Sequence, residues 1–381
     1  MIIRKTYKQK LYKCFKKTKH LDNLLIIAKQ IYNHCIALHK RYYRLYHKSL
    51  NIYQLQKHIT KIKHTYKKNW SVLNSQSIQD ITERIDKSYS LFFKERKKGN
   101  KKISLPTFKS ISKYKSITYK TSGYKYNQDF VSIQGKKYKL FKDRQINGKI
   151  KTLTVKKDNI GNWYICISVQ EEIKPTFKRT GKTVGLDFGL KTFITTSDCD
   201  KIPSPEFLKS DIKKLRKLSK KLSKKVKGSN NRKSAKFSLS KFHIKITNKR
   251  DDWQWKLAHQ LVAKYDIISV ETLNIKTMQQ LWGRKISDLA IYSFYSKLEY
   301  LCLIQNKSFV KIDKWYPSSK ECHVCHYVLD ELSLSQRTWI CPNCQTKHDR
   351  DENAAKNIEM VGTSTIRLAD VRPQLNEAIC A

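Results

Sequence analysis

Acidic residues are scarce in this sequence: 31 Asp and Glu stand against 79 Lys and Arg, which gives a formal net charge of +48. A folded protein with that charge repels itself unless a polyanion neutralises it. The basic residues run through the whole chain, which favours a long nucleic-acid track over a single membrane-contact patch. Histone-like and ribosomal packaging proteins are also basic, but they are usually much shorter than 381 residues. The charge therefore predicts a nucleic-acid partner.

Long apolar runs are also missing. The sequence has no stretch of about 18 consecutive apolar residues, so neither a membrane-spanning helix nor a membrane partner is expected. The start, MIIRKTYKQKLYKCFKK, lacks the apolar segment of a secretory signal. Apolar residues still make up 39% of the chain, and 381 residues suffice for two or three folded domains. These features predict a folded, cytoplasmic protein.

The periodicity of apolar residues changes along the first half of the chain. Residues 3–17 alternate weakly, as in a strand, and residues 21–97 repeat apolar side chains at helical spacing. From about 100 to 172, short alternating segments are separated by turn residues, which predicts a small antiparallel barrel or sandwich. The tyrosines among the basic residues of the helical stretch, such as Tyr42, Tyr43 and Tyr46, have two interpretations. Stacking on nucleotides is one, and packing in the core is the favoured one.

Strongly apolar strands alternate with helices in the second half, which predicts an α/β core. A lysine-rich helical pair interrupts it, with an apolar stripe formed by Ile212, Leu215, Leu218, Leu222 and Val226. The lysines around this stripe are candidate phosphate contacts, although a solvated helix face explains any single one equally well. They are Lys213, Lys214, Lys217, Lys220, Lys221, Lys224 and Lys225. The last nineteen residues have no periodicity, which predicts a disordered tail over 363–381.

Cysteines occur in two different patterns. Six of the ten are scattered and are interpreted as reduced thiols: Cys14, Cys35, Cys166, Cys199, Cys302 and Cys380. The other four form two C-x2-C pairs, Cys322 with Cys325 and Cys341 with Cys344. Two such pairs on tight turns complete a tetrahedral four-thiolate Zn²⁺ site, which is closed and therefore structural. Redox pairs or plain thiols are the alternative, and a reducing cytosol suits both interpretations.

Three carboxylates occupy unexpected positions. Asp187 and Glu271 end apolar strands, and Asp351 follows the second cysteine pair at the start of the segment ENAAKNI. Each alone is explained by a solvated strand end or helix start, and Asp349 and Glu352 beside Asp351 suit a first helical turn. Buried together, they would need a cation or a hydrogen-bond donor. Three converging carboxylates hold two Mg²⁺ ions about 4 Å apart in enzymes that hydrolyse phosphodiesters.

The motifs around these residues resemble the TnpB family, the RNA-guided nucleases of insertion sequences that are related to type V CRISPR nucleases. VGLDFGLKTF resembles its first RuvC motif, YDIISVETLNIKTM the second and HDRDENAAKNI the third. YPSSKECHVC and WICPNC resemble its zinc ribbon, and SLPTFKSISKYKSITY resembles the entry to its wedge domain. The resemblance spans most of residues 1–360. The family usually has Gly after each C-x2-C, where this chain has His326 and Gln345, and we expect these to adopt the left-handed conformation at modest cost.

The resemblance implies a multidomain α+β fold. A wedge β-barrel domain would comprise residues 1–20 and 100–176, and a helical recognition domain 21–99. A RuvC/RNase H-like nuclease domain would comprise 177–315 and 346–362, with a helical insert at 205–250. The zinc ribbon would comprise 316–345.

Function follows from the same resemblance. Asp187, Glu271 and Asp351 would be the catalytic residues and hold two Mg²⁺ ions, with Asp349 as a neighbouring support. The protein would bind a structured guide RNA from the end of its own element and cut double-stranded DNA beside a short target-adjacent motif, in the prokaryotic nucleoid. A catalytically silent RNA-guided DNA binder that represses transcription is the first alternative. A DNA strand-exchange transposase is the second, which the ribbon between the second and third acids argues against. The oligomeric state stays open.

Overall fold

A computed structural model describes residues 2–141, 144–172, 180–333 and 335–377. The chain divides into two compact units, residues 1–173 and 174–381. Each unit has its own apolar core, and the segment 322–344 has a small third one around its cysteines. Within the described ranges, every helix is too short or too polar to cross a membrane.

Three helices of the first unit carry apolar faces into its core. They are α1 (Phe15–Tyr46), α2 (Ile52–Thr65) and α3 (Ser75–Lys97), with a 3-10 turn at Lys68–Val72. A capping box formed by Asn51 and Gln54 begins α2, because each side chain accepts a backbone N–H of the other residue. Helix α1 begins at Phe15 instead of the predicted residue 21. Its first turn, FKKT, has one apolar residue, so apolar periodicity does not reveal it.

Seven strands complete the first unit over its described residues, 2–141 and 144–172. They are β1 (Ile2–Lys10), β2 (Ser116–Tyr119), β3 (Tyr124–Asn127), β4 (Phe130–Ile133), β5 (Lys136–Lys139), β6 (Lys149–Lys157) and β7 (Trp163–Glu172). They form two antiparallel sheets, one in the order β1-β7-β6-β2 and the other in the order β3-β4-β5. A bridge between Leu11 and Leu140 connects the end of β1 with the end of β5. The predicted β-rich segment is therefore arranged as two sheets.

A mixed five-stranded sheet organises the second unit. Its strands are β8 (Thr183–Asp187), β9 (Thr192–Thr196), β10 (Lys201–Pro203), β11 (Ile267–Glu271) and β12 (Ser308–Ile312), in the order β10-β9-β8-β11-β12. Strands β8, β11 and β12 are parallel, whereas β9 and β10 are antiparallel to their neighbours. A two-stranded ribbon follows, with β13 (Thr338–Ile340) and β14 (Lys347–Asp349).

Six helices accompany this sheet in the part of the second unit that the structure describes. They are α4 (Phe207–Ser223), α5 (Asn230–Lys264), α6 (Ile275–Trp282), α7 (Arg284–Leu289), α8 (Ile291–Ile304) and α9 (Arg350–Glu377). Helix α9 lies so close to β8 that a Cβ atom on Gly185 would be 1.9 Å from the carbonyl oxygen of Ala355. Farther along α9, a Cβ atom on Gly362 would be 2.0 Å from Oγ of Ser269 on the adjacent strand β11. Glycine is therefore required for this approach of helix and sheet.

The predictions for two segments of the second unit differ in outcome. Helix α9 continues to Glu377 within the segment predicted to be a disordered tail from residue 363, and the disorder stays a prediction; residues 378–381 lie outside the described residues. The prediction for Val226 is wrong, because this residue does not join the apolar stripe of α4. This helix ends at Ser223, so Val226 lies beyond it and is 77% exposed.

Replacing Gly185 with Ala tests the contact between α9 and β8. We expect a loss of roughly 3 kcal/mol in the free energy of unfolding, the upper end for overpacking, because backbone atoms cannot move aside cheaply. Gly228→Ala is the matched control: its φ is +90° and no heavy atom lies within 4 Å of the added Cβ. It should cost only the backbone strain of about 1 kcal/mol. Equal losses in denaturant unfolding would contradict the close packing.

Candidate metal centres

Asp187 and Glu271 end adjacent parallel strands. Strand β8 ends at Asp187 and β11 at Glu271, as the sequence predicts, and Leu186 pairs with Val270 in the register between them. The two carboxylates therefore follow paired residues at one edge of the sheet. The carboxyl ends of parallel strands are where ligands bind in open α/β sheets.

Asp351 reaches the same region from the first turn of α9. Its neighbour Asp349 caps this turn, since its Oδ1 accepts the backbone N–H groups of Asp351 (3.0 Å) and Glu352 (3.2 Å). Lys201 pairs with both Asp349 (2.8 Å) and Glu352 (2.9 Å). Of the acids in this cluster, Asp349 and Glu352 are thus occupied with helix capping and ion pairing, and Asp351 faces the sheet.

The three carboxylates line one cavity of about 720 Å³. Asp187, Glu271 and Asp351 line it together with Arg337 and Arg350, and the remaining wall includes Phe188, Leu273, Trp315 and Tyr316. The oxygens of the three carboxylates do not all lie within 4.8 Å of one another. Among the described residues, only the ligand atoms of the four cysteines are grouped that closely. The acids are therefore neighbours around a space wider than one small ion.

Burial and mutual repulsion dominate the electrostatics of this cavity. Desolvation, followed by the charges of Asp351 and Glu271, raises the pKa of Asp187 to about 7, against the opposing effect of Arg350. Burial also raises the pKa of Glu271. Arg337 places Nη1 3.3 Å from Oδ1 of Asp351 and so offsets part of the negative charge. Such a cluster favours the binding of further cations, and its oxygen donors suit Mg²⁺.

The four cysteines of the two C-x2-C pairs converge, which confirms the predicted cluster. Their sulfur atoms all lie within 4.8 Å of one another, with 3.6 Å between Cys322 and Cys344 and 3.5 Å between Cys325 and Cys341. Tetrahedral Zn²⁺ with Zn–S bonds of about 2.3 Å requires sulfurs roughly 3.8 Å apart. The observed spacing fits that ion. His348 places Nε2 3.1 Å from Sγ of Cys322, where a neutral imidazole can donate a hydrogen bond to a thiolate.

The turns that carry these cysteines are nearly identical. The backbone N–H of His326 donates to the carbonyl oxygen of Cys322, and that of Gln345 donates to the carbonyl oxygen of Cys341, each at 2.9 Å. The residue after each cysteine pair has a left-handed backbone conformation, with φ of 61° for His326 and 58° for Gln345. The expectation that these residues replace the usual glycine in the left-handed turn is confirmed.

Two buried asparagines of α9 join the cysteine turn to the carboxylate cavity. Asn353 and Asn357 both donate to the carbonyl of Glu321, at 2.6 and 2.7 Å, and Asn357 also donates to that of Ser318 at 2.9 Å. The backbone N–H of His323 donates to Oδ1 of Asn353 at 3.0 Å. The thiolate site and the helix that carries Asp351 are therefore connected by hydrogen bonds. Sequence reasoning missed these residues, although amides four positions apart on a buried helix face are a usable signal.

The candidate phosphate contacts lie on and after α4. Lys213, Lys214, Lys217, Lys220, Lys221 and Lys224 are exposed and Lys225 is partly buried. Their contact with nucleic acid stays a prediction.

In the first unit, the prediction that the tyrosines pack in the core is wrong for Tyr43 and Tyr46. Their side chains are 60% and 59% exposed because they lie near the C-terminal end of α1.

Comparisons with known proteins find relatives over most of the chain. The family model OrfB_IS605, described as "Probable transposase", matches residues 164–281, and the model of the Cas12f1-like TNB domain matches residues 292–358. A Streptomyces pristinaespiralis protein, provisionally named an RNA-guided DNA endonuclease, is 28% identical over 381 residues, covering 98% of this chain and 93% of its own. A TnpB-like protein of Acanthamoeba polyphaga mimivirus is 29% identical over 269 residues, covering 66% of this chain and 51% of its own.

Among solved structures, the chain resembles one described as a cryo-EM structure of the Cas12f1-sgRNA-target DNA complex. The TM-score is 0.58, with 14% sequence identity, and the match covers 91% of this chain and 83% of that one. Together with the family matches, this likeness supports a TnpB/Cas12-like multidomain α+β fold.

Cys341→Ser tests the thiolate site. We expect zinc, close to one ion per chain in the wild type, to be lost from the purified variant, because serine is a poor ligand for Zn²⁺ and three thiolates leave the site open. Cys199→Ser is the matched control, since Cys199 is exposed and outside the cluster. Metal analysis by mass spectrometry decides the outcome. Full zinc content in Cys341→Ser would rule out a four-thiolate site.

Protonation of Asp187 predicts a pH dependence of stability in buffer without Mg²⁺. The folded-state pKa of about 7 lies above the ordinary value of 3.8, so the folded state binds more protons between these values. The free energy of unfolding should therefore fall as the pH rises through about 7. Asp187→Asn mimics the protonated form and should flatten this part of the profile. Parallel thermal-unfolding profiles of wild type and variant from about pH 5 to 8 would contradict the assignment.

Proposed function

The chain belongs to the TnpB family, and we propose on that premise that it is an RNA-guided DNA endonuclease of an insertion sequence. Its relatives include proteins provisionally named RNA-guided DNA endonucleases. The single observation that carries the proposal is the convergence of Asp187, Glu271 and Asp351 on one cavity. A protein that only binds nucleic acid has no use for three partly buried carboxylates around one cavity.

The residues of the cavity fit a pair of Mg²⁺ ions. Their donors are carboxylate oxygens, burial followed by mutual repulsion raises the pKa of Asp187, and the cavity is wider than a single ion requires. Asp187, Glu271 and Asp351 would hold the metal. Bound Mg²⁺ would supply Lewis-acid activation for hydrolysis of the phosphodiester.

The chain's own cations would position the substrate. Arg337 and Arg350 line the cavity beside the acids, and a guanidinium can bind a phosphate oxygen in a bidentate manner. In the structure Arg337 pairs with Asp351. An incoming DNA phosphate would compete for this arginine. The cavity therefore combines acids that recruit metal with arginines that orient the DNA backbone.

The other parts of the proposal follow from family membership. Residues 1–20 and 100–176 would form the wedge domain, 21–99 the recognition domain, 177–315 with 346–362 the RuvC-like domain, and 316–345 the zinc ribbon. A structured guide RNA and a double-stranded DNA target would be the partners, with base pairing setting the specificity beyond a short adjacent motif. The exposed lysines of α4 and the turn after it would contact phosphate. The protein would act in the prokaryotic cytoplasm, at the nucleoid.

Two alternatives differ from this proposal in their products. A catalytically silent binder would carry a specific RNA and occupy its target without cutting it. A strand-exchange transposase, which the description of the OrfB_IS605 model suggests, would join DNA ends and need no guide. The ribbon between Glu271 and Asp351 argues against the transposase.

The experiment that separates these functions uses the protein coexpressed with its flanking genomic DNA. RNA that copurifies is sequenced, and the complex is then incubated with plasmids that carry the matching target beside randomised bases, with and without Mg²⁺. Linear product enriched for one adjacent motif, seen only with Mg²⁺, is expected. Bound but uncut plasmid would support the silent binder, joined ends without guide would support the transposase, and the absence of a discrete RNA would contradict both RNA-guided functions.

Asp187→Asn and Glu271→Gln test the carboxylates. Each keeps the side-chain shape but removes a metal ligand, so cutting should fall by at least about a hundredfold while guide-RNA binding persists. Asp252→Asn is the matched control, because Asp252 is 65% exposed on α5 and outside the cavity. Cleavage is measured on the plasmid identified above, and RNA retention by gel filtration. Cutting at the wild-type rate by either variant would show that the site is elsewhere.

A further inference from the structure

We propose that Trp315 selects which phosphodiester of a DNA strand is cut, because its indole stacks on the nucleobase beside the scissile phosphate and so places that phosphate at the three acids. This inference rests on the proposed function, since the reaction is that of the endonuclease itself. It assigns a substrate-binding role to a side chain that supplies neither a metal ligand nor a charge.

The side chain of Trp315 is open to solvent. It is 79% exposed, although tryptophan is highly buried on average. Trp315 lines the carboxylate cavity together with Asp187, Glu271 and Asp351. A single exposed ring elsewhere on a protein surface needs no explanation. A ring on the wall of the cavity that contains the acids is placed to meet their substrate.

The register of the sheet brings Trp315 close to Glu271. Strand β12 pairs with β11 so that Ile312 lies opposite Glu271. Oγ1 of Thr272 also donates to the carbonyl of Ile312 at 2.6 Å. Trp315 follows three residues later in a tight turn, where its backbone N–H donates to Oδ1 of Asp313 at 2.7 Å. The ends of two paired strands therefore carry an acid of the cavity and the exposed indole.

Helix α9 holds the other side of this turn. The side chain of Asn357 donates to the carbonyl of Ser318 at 2.9 Å. The backbone N–H of Ser318 in turn donates to the carbonyl of Tyr316 at 2.9 Å. The helix that carries Asp351 thus restrains the segment after Trp315. A stacking surface that is restrained on both sides loses little conformational freedom when it binds a base.

Cations accompany the indole. Nζ of Lys314 lies 4.3 Å from the ring centroid of Trp315, and Arg337 and Arg350 line the same cavity. Aromatic rings beside cations are the pattern of single-stranded nucleic-acid surfaces, where rings stack on bases and cations contact phosphates. A base inside a duplex has both faces covered by its neighbours, so the indole accepts only an unstacked base.

This geometry gives the cavity a means of choosing one phosphate. Successive phosphates of a strand are chemically alike, so the acids alone do not distinguish them. A base held on Trp315 fixes the distance along the strand to the phosphate that reaches the acids. Loss of the ring should therefore spread the cut over neighbouring phosphates as well as slow it.

The distribution of cut positions tests this role. The complex cuts its matched plasmid under single-turnover conditions, and the product ends are mapped by sequencing. We expect Trp315→Leu to spread the ends over several neighbouring phosphates and to slow cutting roughly five- to hundredfold. Trp315→Phe keeps a smaller stacking surface and should restore most of both properties. Unchanged product ends in Trp315→Leu would overturn the proposal.

Tyr292→Leu is the matched control for the loss of an exposed ring. Tyr292 is 72% exposed on α8 and lies outside the cavity. This variant should leave the product ends unchanged and alter the cutting rate less than about twofold. An equal spread of ends in both variants would show that the effect is not specific to Trp315.

An abasic nucleotide in the DNA removes the partner of the ring instead. Targets carry one abasic nucleotide at each position around the cut in turn. At one position beside the cut, the wild-type protein should lose roughly five- to hundredfold in rate. Trp315→Leu should lose less than about twofold at that position, because the contact is already missing. Multiplicative losses in the variant would show that the ring and the base do not meet.

A crosslink decides the proposal even when the complex does not cut, an outcome that would count against the proposed function instead. The purified protein is irradiated with single-stranded DNA containing 5-bromodeoxyuridine, with Ca²⁺ in place of Mg²⁺. Trypsin releases residues 315–320 as one peptide. We expect a deoxyribonucleotide adduct on Trp315, located by fragmentation of this peptide in a mass spectrometer, and its loss in Trp315→Leu. A wild-type peptide without the adduct would overturn the proposal.

Discussion

The close approach of α9 to β8 and β11 is the constraint on which the carboxylate cavity depends. Gly185 and Gly362 have no side chains, and a Cβ at either position would lie about 2 Å from an atom of the opposing element. This contact places the first turn of α9 beside the ends of both strands. Asp351 then meets Asp187 and Glu271 across one cavity. A helix held farther from the sheet would leave three separate surface acids.

The cysteine ribbon adds a second restraint on the same helix. Its first turn is bound to α9 through Asn353 and Asn357, and its last strand, β14, runs directly into the helix at Arg350. A metal bound by the four cysteines would therefore stiffen the segment that carries Asp351. It would also fix Arg337, which lies between the cysteine pairs and reaches Asp351. A closed structural site can in this way affect the geometry of the carboxylates without contacting DNA.

Local patterns in the sequence predict most of the second unit. Strand-ending acids and C-x2-C pairs are recognisable because each depends on neighbours within a few residues, and both features lie where expected. Features set by distant packing are not recognisable in this way. The roles of Asn353 and Asn357 require Glu321 to fold beside them, and the pairing of Arg337 with Asp351 requires the ribbon to be formed. The early start of α1 and the exposure of Tyr43 likewise follow from where the helix begins and ends.

The proposed site places three acids from distant parts of the chain around one pair of divalent ions. Electron paramagnetic resonance of Mn²⁺, which accepts the same oxygen ligands as Mg²⁺, tests it most directly. Two magnetically coupled Mn²⁺ ions should bind to the wild-type protein, and Asp187→Asn should abolish the coupling. Isolated Mn²⁺ signals in the wild type, or coupling that survives in the variant, would contradict a shared site.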